Sequence, residues 1–130
     1  MKNIGKIGEE AASIYLKEKG YKIQERNYRT SFGEIDIICE HQNSIIFIEV
    51  KTRRSNKYGC PEEAITINKQ RKIIMNALSY LTRYHLGKKN SRFDVLVVSI
   101  SDNCTIKNIK HIENAFYFDY DNNPFNHQKI

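Results

Sequence analysis

Apolar side chains recur near the amino terminus at close to 100° per residue. Ile4, Ile7, Ala11, Ala12, Ile14, Tyr15 and Leu16 cover one broad arc, which predicts a helix from Ile4 to Lys19. Gly20 supplies its stop. The period then shortens. Tyr21-Lys22-Ile23-Gln24 reads as an edge strand, followed by a basic turn with Arg26 and Arg29. Gly33 to Ile38 and Ile45 to Lys51 read as two further strands. The polar stretch Cys39 to Ser44 between them is short enough for a hairpin. Thr52 to Gly59 is polar and basic and reads as a mobile loop. Pro61 opens a short helical turn over Glu62 to Ile65. Asn68 is the expected N-cap of a second helix through Leu81, with Ile74, Leu78 and Leu81 as its core stripe. Phe93 to Ile100 is the clearest buried strand. A weaker strand over Thr105 to Ile109 and a short amphipathic segment over Ile112 to Phe118 follow. A polar tail from Asp119 is expected to fray.

The order is therefore α-β-β-β-α-β-β, an α/β chain whose simplest packing is a central mixed sheet flanked by helices. With no repeat, linker or low-complexity tract, residues 1–118 form one domain and 119–130 a polar C-terminal tail.

Charges interrupt the second and third strands. Asp36 and Glu49 are separated by twelve residues, and Lys51 follows Glu49 by two. Burying an ion costs several kcal/mol unless it is paired or holds a metal. Alternation places Glu34 and Asp36 on one face, with Ile35 and Ile37 on the other. It also puts Glu49 and Lys51 on a common face. If the runs pair, Asp36 and the Glu49/Lys51 pair converge at one end of a ribbon. The plain alternative is a cross-strand ion-pair ladder on a wet face. Against it, Ile45 to Val50 is apolar on both faces except at Glu49, as a buried strand would be. Two carboxylates beside an ammonium suit a hard cation such as Mg²⁺ or Mn²⁺, which is bound through oxygen. Such an ion activates water and offsets phosphate charge, while the lysine orients the nucleophile or stabilises developing charge.

The whole-chain numbers sharpen this. The 130 residues carry a formal charge of +6, and the pI is about 9.2. That balance favours a polyanionic partner. Apolar runs reach only about four residues, far short of a membrane span, and no signal-peptide pattern opens the chain. The three cysteines, Cys39, Cys60 and Cys104, lack metal-ligand or disulfide spacing and read as free thiols of a cytoplasmic protein. Cys39-Glu40-His41 lacks the second ligand pair a zinc site needs.

Several separated motifs resemble one family. They are Gly5-x-x-Gly8-Glu9-x-x-Ala12-x-x-x-Leu16, Gly20-Tyr21, Arg26-Asn27-Tyr28-Arg29, Gly33-Glu34-Ile35-Asp36, Phe47-Ile48-Glu49-Val50-Lys51 and Arg92-Phe93-Asp94-Val95. In this order, over Ile4 to Phe118, they resemble the YraN family of small bacterial proteins. That family is similar to the restriction-endonuclease-like PD-(D/E)xK nucleases, most of all to archaeal Holliday-junction resolvases. The resemblance implies a metal-binding role for Asp36 and Glu49 and for the backbone carbonyl of Val50. It makes Lys51 the lysine of the (D/E)xK element, selects Glu9 over Glu10 on the first helix and places Gln70 near the site. Ile35 departs from the proline of the PD signature.

Two functions from different classes follow. One is a Mg²⁺- or Mn²⁺-dependent endonuclease, acting on branched or otherwise structured DNA. Its catalytic set is Asp36, Glu49, Lys51, Glu9 and Gln70, with Glu9, Asp36 and Glu49 holding the metal. Arg26, Arg29, Arg53, Arg54, Lys57, Lys69, Arg71 and Lys72 would track phosphates without reading sequence. The first-turn cations Lys69, Arg71 and Lys72 run against the helix dipole, as a binding cluster would. Tyr28, Phe32 and Tyr58 are either stacking rings for exposed bases or core. The other function is a nucleic-acid-binding module on the same fold without turnover. A homodimer is compatible with either, as is a structural or assembly role.

Overall fold

A computed structural model describes residues 3–54 and 65–117, with the backbone of 127–128. Of the loop expected over Thr52 to Gly59, Thr52 to Arg54 instead continue the third strand; the part from Ser55 to Gly59, the turn opened by Pro61, and the assignments at Lys57, Tyr58 and Cys60 lie outside the described residues. So does the tail other than His127–Gln128.

Helix α1 spans Ile4–Glu18. Asn3 caps it, its side chain accepting from the Lys6 amide at 3.3 Å. Gly20 ends it in the left-handed region at φ +88°. Its amide donates to the Lys17 carbonyl at 3.0 Å and that of Tyr21 to Leu16 at 2.9 Å, a Schellman arrangement. Strands β1 (Lys22–Thr30), β2 (Gly33–His41) and β3 (Ser44–Arg54) follow. Helix α2 spans Ile67–Arg83, and β4 (Asn90–Ile100), β5 (Ile106–Tyr117) and the two-residue β6 (His127–Gln128) complete the sheet. The strands lie side by side in chain order. Every pairing is antiparallel except β3 with β4, where α2 is the crossover a parallel pair needs.

The mixed α/β architecture and element order match the sequence reading; several boundaries differ. Arg26 and Arg29 belong to β1 rather than a turn, because pairing with β2 continues to Thr30. The hairpin reversal is Gln42-Asn43 alone, at φ 50° and 65°. Two such residues close a tight turn, so Cys39, Glu40 and His41 join β2. The cap of α2 is Thr66, whose hydroxyl accepts from the Lys69 amide at 3.1 Å, not Asn68. Leu78 is 41% exposed, and the buried apolar face is Ile73, Ile74, Ala77 and Tyr80. Tyr80 sets that rotation by meeting Tyr28 and Phe47 edge-on. The expected weak strand and amphipathic segment are one strand, β5. Asn114 at φ 55° and a register shift opposite Phe93 to Val95 change the phase of its alternation.

Two apolar cores cover the sheet. Ile38, Ile45, Phe47, Phe93 and Phe116 pack with α2, while Ile46, Ile48, Leu96 and Val98 pack with Ala12 and Leu16 of α1. Ile35 joins the first and Ile37 the second, so these two do not share a face as alternation expects. No described helix is long and apolar enough to cross a membrane.

Asp94, fully buried on β4, ties together β4, β5 and α1. It accepts from Arg92 Nε at 3.0 Å, Arg92 Nη2 at 3.1 Å and the Asn114 amide at 3.0 Å. Its Oδ2 lies 2.8 Å from His111 Nε2, and the other ring nitrogen lies 3.1 Å from the Tyr15 hydroxyl of α1. Arg92 also donates to the Tyr21 hydroxyl at 2.9 Å and pairs with Glu113 at 3.0 Å.

Gly8 fixes how closely α1 approaches β3. A β-carbon there would overlap the Thr52 side chain. Gly8→Val is expected to cost about 2–3 kcal/mol through overpacking and a stiff side chain in the helix. Urea denaturation measures this, and an unchanged midpoint would contradict the close approach.

Candidate active site

The β2–β3 ladder runs from His41↔Ser44 to Ile37↔Ile48 and ends there. One step further, Asp36 faces Glu49. The Val50 amide donates instead to Asp36 Oδ2, at 2.8 Å. A strand residue directs its N–H and C=O to the same neighbour, so the Val50 carbonyl also points toward β2. Glu49 is 7% exposed despite its charge. Beside Glu49, the Asp36 pKa is pushed up to about 8. Burial is the largest cause, followed by the charge and hydrogen bond of Glu49. The Val50 amide and the Lys69 ammonium oppose the rise without reversing it. Asp36 is therefore held largely in its protonated form at neutral pH.

The ammonium that meets the pair is that of Lys69, 3.6 Å from Glu49 Oε2. The sequence pointed to Lys51 for this place. Lys51 is half-buried and in register with Val97. Because β3 stays regular through Arg54, Lys51 leaves the sheet about 6–7 Å along the strand from Glu49. Helix α2 supplies the nearer cation. Its basic first turn, unfavourable for the helix dipole, is thus partly offset by Glu49.

From α1, Glu9 turns toward the acids, whereas Glu10 pairs with Arg26 at 3.0 Å. The Glu9 carboxyl is held above its ordinary pKa by burial first, then by Asp36 and Glu34. With its amide oriented by its surroundings, Asn27 donates to Glu9 Oε1 at 3.2 Å and to Glu34 Oε1 at 2.7 Å. These residues line a cleft of about 460 Å³ with Lys6, Arg26 and Arg29.

The remaining candidates divide. Gln70 is fully buried, and its amide donates to the Ile65 carbonyl at 2.9 Å, which holds the lead-in to α2. Arg29 pairs with Glu34 at 3.2 Å, and Arg53 donates to Ser99 Oγ at 3.3 Å. Arg54 is half-buried, and Arg71 and Lys72 are exposed on α2. Tyr28 is core; Phe32, at the β1–β2 turn, is 42% exposed. Cys39 is buried, which pushes its thiol up to about 12 and makes it a poor zinc ligand. Neither the amide bridge at Asn27 nor the Lys69–Glu49 contact follows from residue spacing. Only the quoted Arg26-Asn27-Tyr28-Arg29 motif touched the first.

For a hard cation, Asp36, Glu49 and the Val50 carbonyl are suitable oxygen donors on adjacent strands. Among the described residues, no three or more Asp, Glu, His or Cys side chains form a ready metal-binding group. Glu9 is thus near the pair without completing a cage. A cation here would bind two carboxylates and keep waters, as Mg²⁺ does.

Fold and site define a small mixed α/β domain carrying a facing carboxyl pair, Asp36 half-buried and Glu49 buried, where two strands cease to pair. The chain belongs to the Uncharacterised protein family UPF0102, whose profile matches residues 8–98. A UPF0102 protein of Syntrophus aciditrophicus is 50% identical over 107 residues, 82% of this chain and 84% of its own. One of Persephonella marina is 48% identical over 116 residues, covering 89% and 95%. One of Caldanaerobacter subterraneus is 41% identical over 116 residues, covering 88% and 95%.

Proposed function

We propose that this protein is a divalent-metal-dependent endonuclease of the restriction-endonuclease-like class, acting on branched or structured DNA. The observation that carries the reading is the pairing of half-buried Asp36 with buried Glu49, with the Val50 amide on Asp36 and the Lys69 ammonium on Glu49. A pair that holds a proton at neutral pH exchanges it for a cation, because the ion neutralises both carboxylates without the repulsion that raises the Asp36 pKa. Asp36, Glu49 and the Val50 carbonyl would hold Mg²⁺ or Mn²⁺, with Glu9 completing the acidic face. The ion supplies an activated water and offsets charge at phosphorus. Lys51 orients the attacking water or stabilises the charge that develops. Lys69, Arg71 and Lys72 on α2, with Arg53 and Arg54 at the end of β3, track the phosphate backbone. The likeness to archaeal Holliday-junction resolvases supports a branched substrate.

Linear, flap and four-way DNA, incubated with the protein in Mg²⁺ or Mn²⁺, test this. Glu49→Ala and Lys51→Ala are each expected to slow cleavage by about 100-fold or more. Cleavage that survives both substitutions would sink the site.

The second reading is a DNA-binding module without turnover. It is favoured by Lys69, rather than Lys51, as the cation that meets Glu49, at 3.6 Å. Salt-sensitive DNA binding with no cleavage of any substrate selects it.

A further inference from the structure

We infer that Asn27 is a positioning residue for Glu9, acting through its side-chain amide; this rests on the metal-binding reading of the acidic site. In the β1–β2 register, Arg26 pairs with Ile37 and Tyr28 with Ile35, so Asn27 lies across from Asp36. Asp36 in turn lies across from Glu49, making one row over three strands. Asn27 interrupts β1 in the left-handed region at φ 54°. Asparagine tolerates that conformation better than most residues.

The amide has two donors. One reaches Glu9 at 3.2 Å and the other Glu34 at 2.7 Å. Arg29, paired with Glu34 at 3.2 Å, completes the support from below. The arrangement joins a carboxylate on α1 to the strand that borders the acid pair. Without it, Glu9 and Glu34 repel each other, and both are drawn to Arg26, Arg29 and Lys6 of the same cleft. A neutral amide orients Glu9 while leaving its charge intact, which a cation in the same place would not do. Glu9 stays directed at the row instead of folding onto its arginine neighbours. Groups that orient metal ligands in this way commonly change metal affinity by about 10–100-fold when removed.

The experiment is a double-mutant cycle read as Mn²⁺ affinity by titration calorimetry, with melting of the metal-free proteins alongside. Asn27→Gly removes the amide yet accepts the left-handed backbone. It is expected to weaken Mn²⁺ binding by about tenfold or more while the melting temperature stays within about 5 °C. In a Glu9→Gln background the same change should alter affinity by less than about twofold, since groups acting as a unit are non-additive. Unchanged affinity in Asn27→Gly, or an equal loss in both backgrounds, overturns the role through Glu9. A melting temperature lowered by more than about 10 °C makes Asn27 a strand residue and overturns it too. If the native protein binds no Mn²⁺, the metal-site reading fails and the inference with it. Native binding with an indifferent Asn27→Gly defeats the inference alone.

Discussion

Asp94→Ala lowers the stability of the protein by about 3–5 kcal/mol, the range for removing one partner of a buried ion pair. The substitution leaves Arg92 and His111 facing a hole, with the Asn114 amide unpaired. It also cuts the line from β4 through His111 to Tyr15 on α1. Urea denaturation with a fixed slope measures the loss. A change below about 1 kcal/mol, the level of an exposed pair, would show that the cluster is ornamental. The same residue predicts acid sensitivity. Burial alone would raise the Asp94 pKa, but the hydrogen bonds from His111, Arg92 and the Asn114 amide outweigh it, so the carboxyl is held below its ordinary range. A depressed carboxylate adds stability above its unfolded pKa and loses it as pH falls through the folded value. This contribution is therefore intact at neutral pH and disappears below the usual carboxylate range.

Asp36→Asn has the opposite sign. The Asp36 pKa rises from an ordinary 3.8 to about 8, so the folded chain holds a proton that the unfolded chain has released. Stability is then full below the ordinary value and declines as pH rises toward about 8, by up to ~1.4 kcal/mol per pH unit. The amide variant keeps a donor toward Glu49 at every pH. In EDTA it is expected to match the native protein near pH 4 and to exceed it increasingly up to about pH 8. Mn²⁺ should stabilise the native protein and leave the variant unmoved. Denaturation curves across that range check both statements; parallel pH profiles would show that Asp36 is not the proton-holding acid.

The acid pair was legible because alternation and a short hairpin are local properties. Asp36 and Glu49 interrupt runs that are otherwise apolar, and the Gln42-Asn43 turn brings them opposite one another. The contact of Lys69 was not legible, since it depends on how the crossover helix lies over the sheet. Thr66 and Asn68 both have capping side chains, and only geometry separates them. Asp94 was visible as a charge inside an apolar strand. Its partners Arg92, His111 and Tyr15 come from three elements that only tertiary packing unites. Leu78 misled because helical spacing fixes a stripe but not its rotation, which the Tyr80 contacts set. Asn27 was hidden because a left-handed residue inside a strand leaves no periodic trace.

The two-residue reversal at Gln42-Asn43 also bears on the order of assembly. Hairpins form in about 1–10 μs, whereas parallel pairings across a long crossover are slow. Asp36 and Glu49 therefore meet while the β3–β4 junction is still open and before α2 can deliver Lys69. At that moment the pair lacks the burial that is the largest cause of the raised Asp36 pKa, so water still solvates both carboxyls. Proton uptake should thus accompany the later docking of the helices, so that the closing of the core, rather than the hairpin that first brings the acids together, carries the pH dependence of refolding.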